Sequence, residues 1–228
     1  MKRLMPLCFL ALLTLRATAQ PNPNLVLKHE LDSIYVLDQR YRELLGLGLT
    51  PRARDSVAAA LGVVADQAQN QLIRRMLDAD SSNIRRISQI IQQHGYPGKS
   101  LVGVPTNEVA FYVIQHSNRI PKYLPLVKQA AQRGELPFRE YAKMLDRQLM
   151  YEGKEQLYGT QGSGFTVVDR TTGKSEFKKV IWPIKNPSQV NQRRKEAGFD
   201  QTVEENAKRL NIPYQVLTLA EVKKMQHP

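Results

Sequence analysis

Between residues 25 and 153, apolar side chains recur every three or four positions, and beyond that point the sequence changes to short extended runs. Residues three or four apart share one face of an α-helix, whereas alternate residues share one face of a β-strand. The two patterns predict a mainly α chain of the α+β class. We expect a bundle of about six helices packed against a small antiparallel sheet of two or three strands over residues 156–184.

Caps and helix breakers divide the helical part of the chain. Thr50 followed by Pro51 suits a helix start, Ser81 or Ser82 is a candidate cap, and Thr106 is another. The stretch after Pro51 fits either one helix or two shorter ones. The predicted helices cover residues 25–45, 52–78, 83–94, 106–117, 121–133 and 137–153.

The extended part is predicted to contain strands separated by glycine-rich turns. Residues 162–164, Gly-Ser-Gly, are typical of a flexible loop, and residues 170–174 are typical of a hairpin loop. The tail after Pro213 has no clear pattern. The predicted strands cover residues 156–161, 165–169 and 176–184, and two further helical segments cover 188–197 and 202–210.

The N-terminus has the pattern of a secretory signal peptide. A basic start is followed by a short apolar run over residues 4–15 and by Ala17-Thr18-Ala19, which predicts cleavage before Gln20. No later stretch approaches the roughly 20 apolar residues that a transmembrane helix needs. We therefore expect an exported, soluble protein, either periplasmic or secreted. The expected divisions are a signal peptide at 1–19, a helical extension at 20–80, a helical domain with the small sheet at 81–212, and a tail at 213–228.

Composition limits the chemistry of the mature chain. The single cysteine, Cys8, lies inside the predicted signal peptide, so cleavage removes the only thiol. Disulfides, cysteine nucleophiles and thiolate metal sites are thereby excluded. Four histidines stand at positions 29, 94, 116 and 227, with no pair at the i,i+4 spacing of a helical zinc site. We expect neither a metal nor another cofactor.

The chain is basic. Its formal charge is +12, and removal of Lys2, Arg3 and Arg16 with the signal peptide leaves +9. In an exported protein this charge favours contact with anionic cell-envelope material or with a protein partner. The basic residues are scattered rather than collected in one stripe, so we do not expect nucleic acid as a partner.

A histidine near a helix end is the first candidate for chemistry. Gln115 and His116 follow four apolar residues in FYVIQHSNR, which places His116 where it is partly buried. An imidazole there can act as general base, general acid or hydrogen-bond anchor. The alternative is a histidine that simply bonds a backbone carbonyl or a neighbouring helix. We predict that His116 is catalytic and that Gln115 binds substrate.

Asp146 and Arg147 lie beside the apolar stripe of the last bundle helix. Because adjacent helical residues point about 100° apart, they reach different partners. Asp146 is a candidate catalytic residue that orients His116, and Arg147 is a candidate for binding an anionic group in a fork. Structural ion pairing between helices is the alternative.

The run QLYGTQ at 156–161 is unusually polar for a strand. Alternation sends Gln156 and Tyr158 to one face and Gln161 to the other, unless a bulge at Gly159 turns them together. A glycine inside a strand marks a bulge or a close approach to the backbone. We predict that Gln156, Tyr158 and Gln161 bind substrate. A hydrogen-bonded junction between the sheet and the helices is the alternative.

Several of these blocks resemble the motifs of a known bacterial family. They are GYPGKSLVG at 95–103, QHS at 115–117, LDR at 145–147, QLYGTQ at 156–161, VNQRR at 190–194 and AGF at 197–199. They are similar to the Gly-Trp-Pro, Gln-His, Asp-Arg and Tyr-Gly-Thr-Gln blocks of a domain-of-unknown-function family, over about residues 80–200. Tyr96 replaces the usual tryptophan, and Asn118 stands where an acid is commoner, which argues against a carboxylate there acting on His116. The resemblance implies a shared helical domain and site, with no activity attached.

Three functional hypotheses follow. The first is a metal-independent hydrolase or transferase of the cell envelope, with a site formed by His116, Asp146, Arg147, Tyr158 and Gln161. The second is a non-enzymatic binding or interaction module that uses the same residues. The third is a buried network that holds the helices to the sheet, in which loss of one partner chiefly lowers the melting temperature.

Overall fold

The computed structural model describes residues 22–46, 50–168 and 173–226. Within these ranges the chain is mainly helical with one two-stranded antiparallel sheet, which confirms the predicted class. The predicted signal peptide, Cys8 and His227 lie outside the described residues. The helices are α1 Leu25–Gly46, α2 Pro51–Leu61, α3 Ala68–His94, α4 Lys99–Val102, α5 Val109–Gln115, α6 Ile120–Gln132, α7 Phe138–Tyr151, α8 Val190–Glu196, α9 Val203–Arg209 and α10 Leu219–Gln226, and the strands are β1 Gly162–Val168 and β2 Ser175–Ile181.

The main core lies between α1, α3, α5, α6 and α7. Apolar residues at helical spacing bury one face of each helix, and Leu31, Ile87 and Phe111 have no exposed surface. α1 therefore belongs to the same core as α5. The predicted boundary at residue 80 falls inside α3, and the division of the chain there remains a prediction.

Two predicted helix starts are wrong. Neither Ser81 nor Ser82 caps a helix, because α3 continues through both, and the Ser81 hydroxyl donates to the Leu77 carbonyl one turn earlier. Thr106 caps no helix either: it begins a 3-10 turn, and its hydroxyl donates to Asp32 of α1 at 2.6 Å. The start at Thr50 is confirmed, since its hydroxyl accepts the Ala53 N–H at 3.2 Å.

The sheet begins later than predicted. β1 pairs with β2 in antiparallel register from Gly162 opposite Ile181 to Val168 opposite Ser175. The predicted loop at 162–164 is thus part of β1, and the predicted strand at 156–161 is wrong except for a single bridge from Gln156 to Ile184. Residues 170–172 of the predicted hairpin loop, and residue 169 at the end of the preceding predicted strand, lie outside the described residues.

The C-terminal residues build two smaller cores on the sheet. The first joins Ile181 and Ile184 to Val203 of α9, and the second joins Trp182 to Val222 of α10. The predicted segment at 202–210 is confirmed as α9, where Thr202 and Glu205 form a reciprocal capping box. We call the sheet together with α8, α9 and α10 the C-terminal layer. The segment before β1 lies between this layer and the helical bundle, because it is bonded to Asp146 of α7 and to Asn206 of α9.

No helix in the described ranges is both long and apolar enough to cross a membrane.

Candidate functional site

Asp146 organises the polar run that precedes β1. Its carboxylate has no exposed surface and accepts the backbone N–H groups of Leu157, Tyr158 and Thr160 at 2.7–3.1 Å, together with the Thr160 hydroxyl at 3.0 Å. Burial raises the pKa of Asp146, and these hydrogen bonds oppose the rise. Because the carboxylate takes the N–H groups that a strand would offer to a neighbour, residues 157–160 form a loop. We call it the 157–160 loop.

Gly159 allows the 157–160 loop to turn. Its φ is +65°, and a Cβ there would lie 2.5 Å from Val203 Cγ2 and 2.8 Å from Ile184 Cδ1. The Gly159 carbonyl accepts the Asn206 side-chain N–H at 3.0 Å. The prediction of a close approach at Gly159 is confirmed, and the approaching groups belong to the C-terminal layer.

Gln156 is hydrogen-bonded within the protein. It is fully buried, and its amide donates to the carbonyls of Gln161 and Trp182 and accepts the Gln161 N–H. All of these bonds are internal, at 2.7–3.0 Å. Its side chain therefore substitutes for a strand partner at the start of β1, and it does not line the cleft described below.

Tyr158 is partly buried and points its ring toward Phe199, with the ring centroids 6.2 Å apart. Burial and the nearby charge of Asp146 raise the pKa of the phenol. Within the described chain the phenol oxygen has no hydrogen bond, and Tyr158 does not line the cleft. Tyr158 and Gln161 therefore do not share the cleft.

Arg147 and Gln161 contact each other. The Arg147 Nε donates to Gln161 Oε1 at 3.1 Å, and Nη1 donates to the Gln115 carbonyl at 3.1 Å. Burial lowers the pKa of Arg147, Tyr151 opposes this shift, and the charge of Arg42 acts in the same direction as burial. The guanidinium is held by neutral oxygens, so its charge remains available to an anion.

His116 pairs with Asp38, and the predicted pairing with Asp146 is wrong. His116 Nδ1 lies 3.0 Å from Asp38 Oδ2, and Asp38 is only 1% exposed. Asp146 cannot take this role because its oxygens are occupied by the 157–160 loop. Arg42 Nη1 lies 3.9 Å from Asp38 Oδ1, and Arg42 Nη2 donates to both carboxylate oxygens of Asp80 at 2.7–2.8 Å.

A cleft of about 620 Å³ opens between the helical bundle and the C-terminal layer. Its size is within the usual range for small-molecule sites. Four of the predicted site residues line it, namely Gln115, His116, Arg147 and Gln161. Asp146, Gln156 and Tyr158 lie outside it and shape the loop that forms part of its wall.

The cleft is strongly basic. Two of its cations, Arg139 and Lys143, are paired with Glu140 at 2.9–3.0 Å, and Arg139 also lies 3.6 Å from Glu108. Among the described residues no carboxylate lies within 4.0 Å of the remaining cleft arginines, which are Arg147, Arg194 and Arg209. An arginine-lined cavity of this kind suits a carboxylate or phosphate group.

Sequence reasoning missed Asp38, Arg194 and Arg209. A signal for Asp38 exists, because it continues the buried stripe Leu31, Ile34 of α1 as an acid on an apolar face. In the sequence, residues 190–194, which include Arg194, stand out only as part of a motif block. The described residues contain no group of three or more His, Cys, Asp or Glu that could hold a metal ion.

The profile of a family of unknown function, DUF6624, matches residues 41–217. The chain belongs to this family. The match confirms the resemblance to a domain-of-unknown-function family, and its span includes the 157–160 loop and every cleft residue discussed above. Asp38, the partner of His116, lies just before the DUF6624 match begins. Neither a curated protein nor a solved structure matches this DUF6624 chain.

Proposed function

We propose that the protein is a hydrolase or transferase that binds an anionic substrate in the cleft and uses His116 as its general base or acid. The observation that carries the proposal is the His116–Asp38 pair at the wall of a cleft with uncompensated arginine charge. The sequence pattern of a signal peptide supports action on anionic material outside the cytoplasm.

The role of His116 follows from its partner. A buried carboxylate beside Nδ1 favours the tautomer with the proton on that nitrogen, so Nε2 carries the lone pair. In this form Nε2 can take a proton from water or from a substrate hydroxyl, and the resulting imidazolium is stabilised by Asp38. Asp38 is thus a positioning residue for His116.

The role of Arg147 is electrostatic. Gln161 and the Gln115 carbonyl fix its guanidinium, which reduces the entropy lost when an anion binds. A fixed guanidinium also stabilises negative charge that develops on a reacting carbonyl or phosphoryl oxygen. The predicted substrate-binding role of Arg147 and Gln161 is therefore part of the proposal.

One observation favours a second candidate, a binding module without turnover. The described lining of the cleft includes hydroxyls from Tyr112 and Thr160, but no serine or cysteine. The Thr160 hydroxyl is already bonded to Asp146 and Gln161. The hydrolase that we propose uses water as its nucleophile, whereas a binding module needs none.

The proposed activity can be tested by incubating the purified protein with phosphate monoesters, phosphate diesters, carboxylate esters and anionic envelope glycans. Products are identified by mass spectrometry. We expect His116→Gln to lower turnover by about 100-fold or more, the range for loss of a general base. Asp38→Asn should lower it less, and His94→Gln, an exposed histidine, should not. Wild-type binding without product favours the binding module, and equal turnover in wild type and His116→Gln removes the proposed mechanism.

A further inference from the structure

The C-terminal wall of the cleft carries a buried arginine that has no carboxylate within 4.0 Å among the described residues. Arg194 of α8 is only 2% exposed, and its guanidinium donates to the backbone carbonyls of Gln201 and Tyr158, each at 2.8 Å. The guanidinium carbon lies 4.5 Å from the centroid of the Phe199 ring. These contacts fix its position but leave its charge unneutralised.

A second arginine, Arg209, adds to the positive charge around Arg194. The charge of Arg209 adds to the effect of burial in lowering the pKa of Arg194, which means that the two guanidinium groups repel each other. Asp146, Glu204 and Asp200 oppose this effect, but none of them lies within 4.0 Å of either arginine. The free energy of two neighbouring cations falls when an anion binds between or beside them.

Arg209 is placed to reach such an anion. It is exposed, it lines the cleft, and its Nη2 donates to Asn206 Oδ1 at 2.8 Å. Asn206 in turn donates to the Gly159 carbonyl, so Arg209 is tied to the 157–160 loop through a neutral amide. Asp200, the carboxylate in the described lining, is exposed.

Arg147 lies on a different element. It belongs to α7 and donates hydrogen bonds to Gln161 and to the Gln115 carbonyl. The nearby charge of Arg42 contributes to lowering its pKa. The cleft therefore has cationic groups fixed independently by the helical bundle and by the C-terminal layer.

We infer that the cleft has two anion subsites, Arg147 on the bundle and Arg194 with Arg209 on the C-terminal layer, and that its ligand carries at least two linked anionic groups. Arginine forks bind phosphate and carboxylate groups alike. When two anionic groups are linked, binding of the first raises the effective concentration of the second. This inference rests on the proposed function for the place of the ligand, but it concerns binding alone.

The test uses calorimetric titration of the full chain with inorganic phosphate, pyrophosphate and tripolyphosphate at constant ionic strength, since salt screens such contacts. The variants are Arg209→Gln and, as a matched control, Lys208→Gln, an exposed cation on the same helix that does not line the cleft. Both remove one positive charge from the surface of α9, so a general effect of net charge appears equally in both.

We expect wild type to bind tripolyphosphate at least about tenfold more tightly than phosphate, a difference of about 1.4 kcal/mol. Arg209→Gln should remove most of this advantage and leave phosphate binding within about twofold, while Lys208→Gln retains it. Equal affinity for the three anions, or equal effects of the two substitutions, overturns the inference. The comparison of turnover between wild type and His116→Gln tests only the proposed function. If the protein turns over a substrate but binds phosphate and tripolyphosphate equally tightly, only the inference of two anion subsites is overturned.

Discussion

His116 and Asp38 lie side by side although 78 positions separate them, with Nδ1 of the imidazole 3.0 Å from Oδ2 of the carboxylate. Asp38 is on α1 and His116 directly follows α5, so packing between these helices creates the pair. The first helix of the described chain therefore contributes to the site as well as to the core.

The first prediction concerns the tautomer of His116. In wild type we expect the neutral imidazole to carry its proton on Nδ1, because the buried Asp38 carboxylate accepts it. Asp38→Asn should shift the proton toward Nε2, since an amide can donate to Nδ1. Long-range ¹H–¹⁵N NMR of the histidine rings distinguishes the two forms. The exposed Asp78→Asn variant should leave the His116 signals unchanged, and a wild-type ring protonated on Nε2 contradicts the assignment.

A second prediction separates Asp146 from Tyr158. Asp146→Asn places an NH₂ group against backbone N–H donors that now have a carboxylate, so we expect a loss of stability on the order of 3 kcal/mol. Tyr158→Phe should change stability by less than about 0.5 kcal/mol, because the phenol oxygen has no hydrogen bond within the described chain. Urea unfolding of both variants checks this. A similar loss in both places the Tyr158 hydroxyl in the buried network.

Local sequence information predicted much of the fold. α1, α6 and α7 were predicted to within about two residues, because their apolar periodicity and their breakers act over one or two turns. The candidate site was only partly predictable. Gln115, His116, Arg147 and Gln161 reach one cleft, but the partner of His116 is on α1, and no spacing rule connects Asp38 to it.

The 157–160 loop shows why the rest could not be predicted. Its composition favours an extended chain, and an extended chain needs a neighbour for its N–H groups. Asp146, one element earlier, supplies that neighbour as a carboxylate, and Gly159 turns the backbone at φ +65°. Such competition between a side chain and a strand depends on tertiary packing, which the local pattern does not contain.

A third prediction is pH-dependent and concerns the contact of Glu30 on α1 with Arg86 on α3. The hydrogen bond from Arg86 lowers the pKa of Glu30 below its ordinary value of 4.5. A lowered carboxylate pKa stabilises the fold above 4.5, and this contribution is lost as the pH falls through the lowered pKa. The side chains of Arg86 and Glu30 are 39% and 34% exposed. Solvent screening therefore limits the contribution of this ion pair to the free energy of unfolding to at most about 1 kcal/mol.

The measurement is the free energy of unfolding between neutral and acidic pH for wild type and Glu30→Gln. We expect the two curves to differ at neutral pH and to converge as the pH falls from 4.5 through the lowered pKa of Glu30. Glu43→Gln, an exposed glutamate on the same helix, should follow wild type throughout. A constant difference at all pH values excludes the ion pair as its source.

A fourth prediction tests the close approach at Gly159. Gly159→Ala introduces a Cβ at φ +65° and within 2.8 Å of the side chains of Val203 and Ile184, so the cost of the backbone and the cost of overpacking add to about 2–4 kcal/mol. Gly62→Ala is the matched control, because its φ is +67° and a Cβ there meets nothing within 4 Å. It should cost only about 1 kcal/mol. Urea unfolding measures both. The loss caused by Gly159→Ala should be smaller in a Val203→Ala background than in wild type, whereas the loss caused by Gly62→Ala should be the same in both backgrounds. Equal losses in the two glycine variants show that the C-terminal layer does not press on the 157–160 loop.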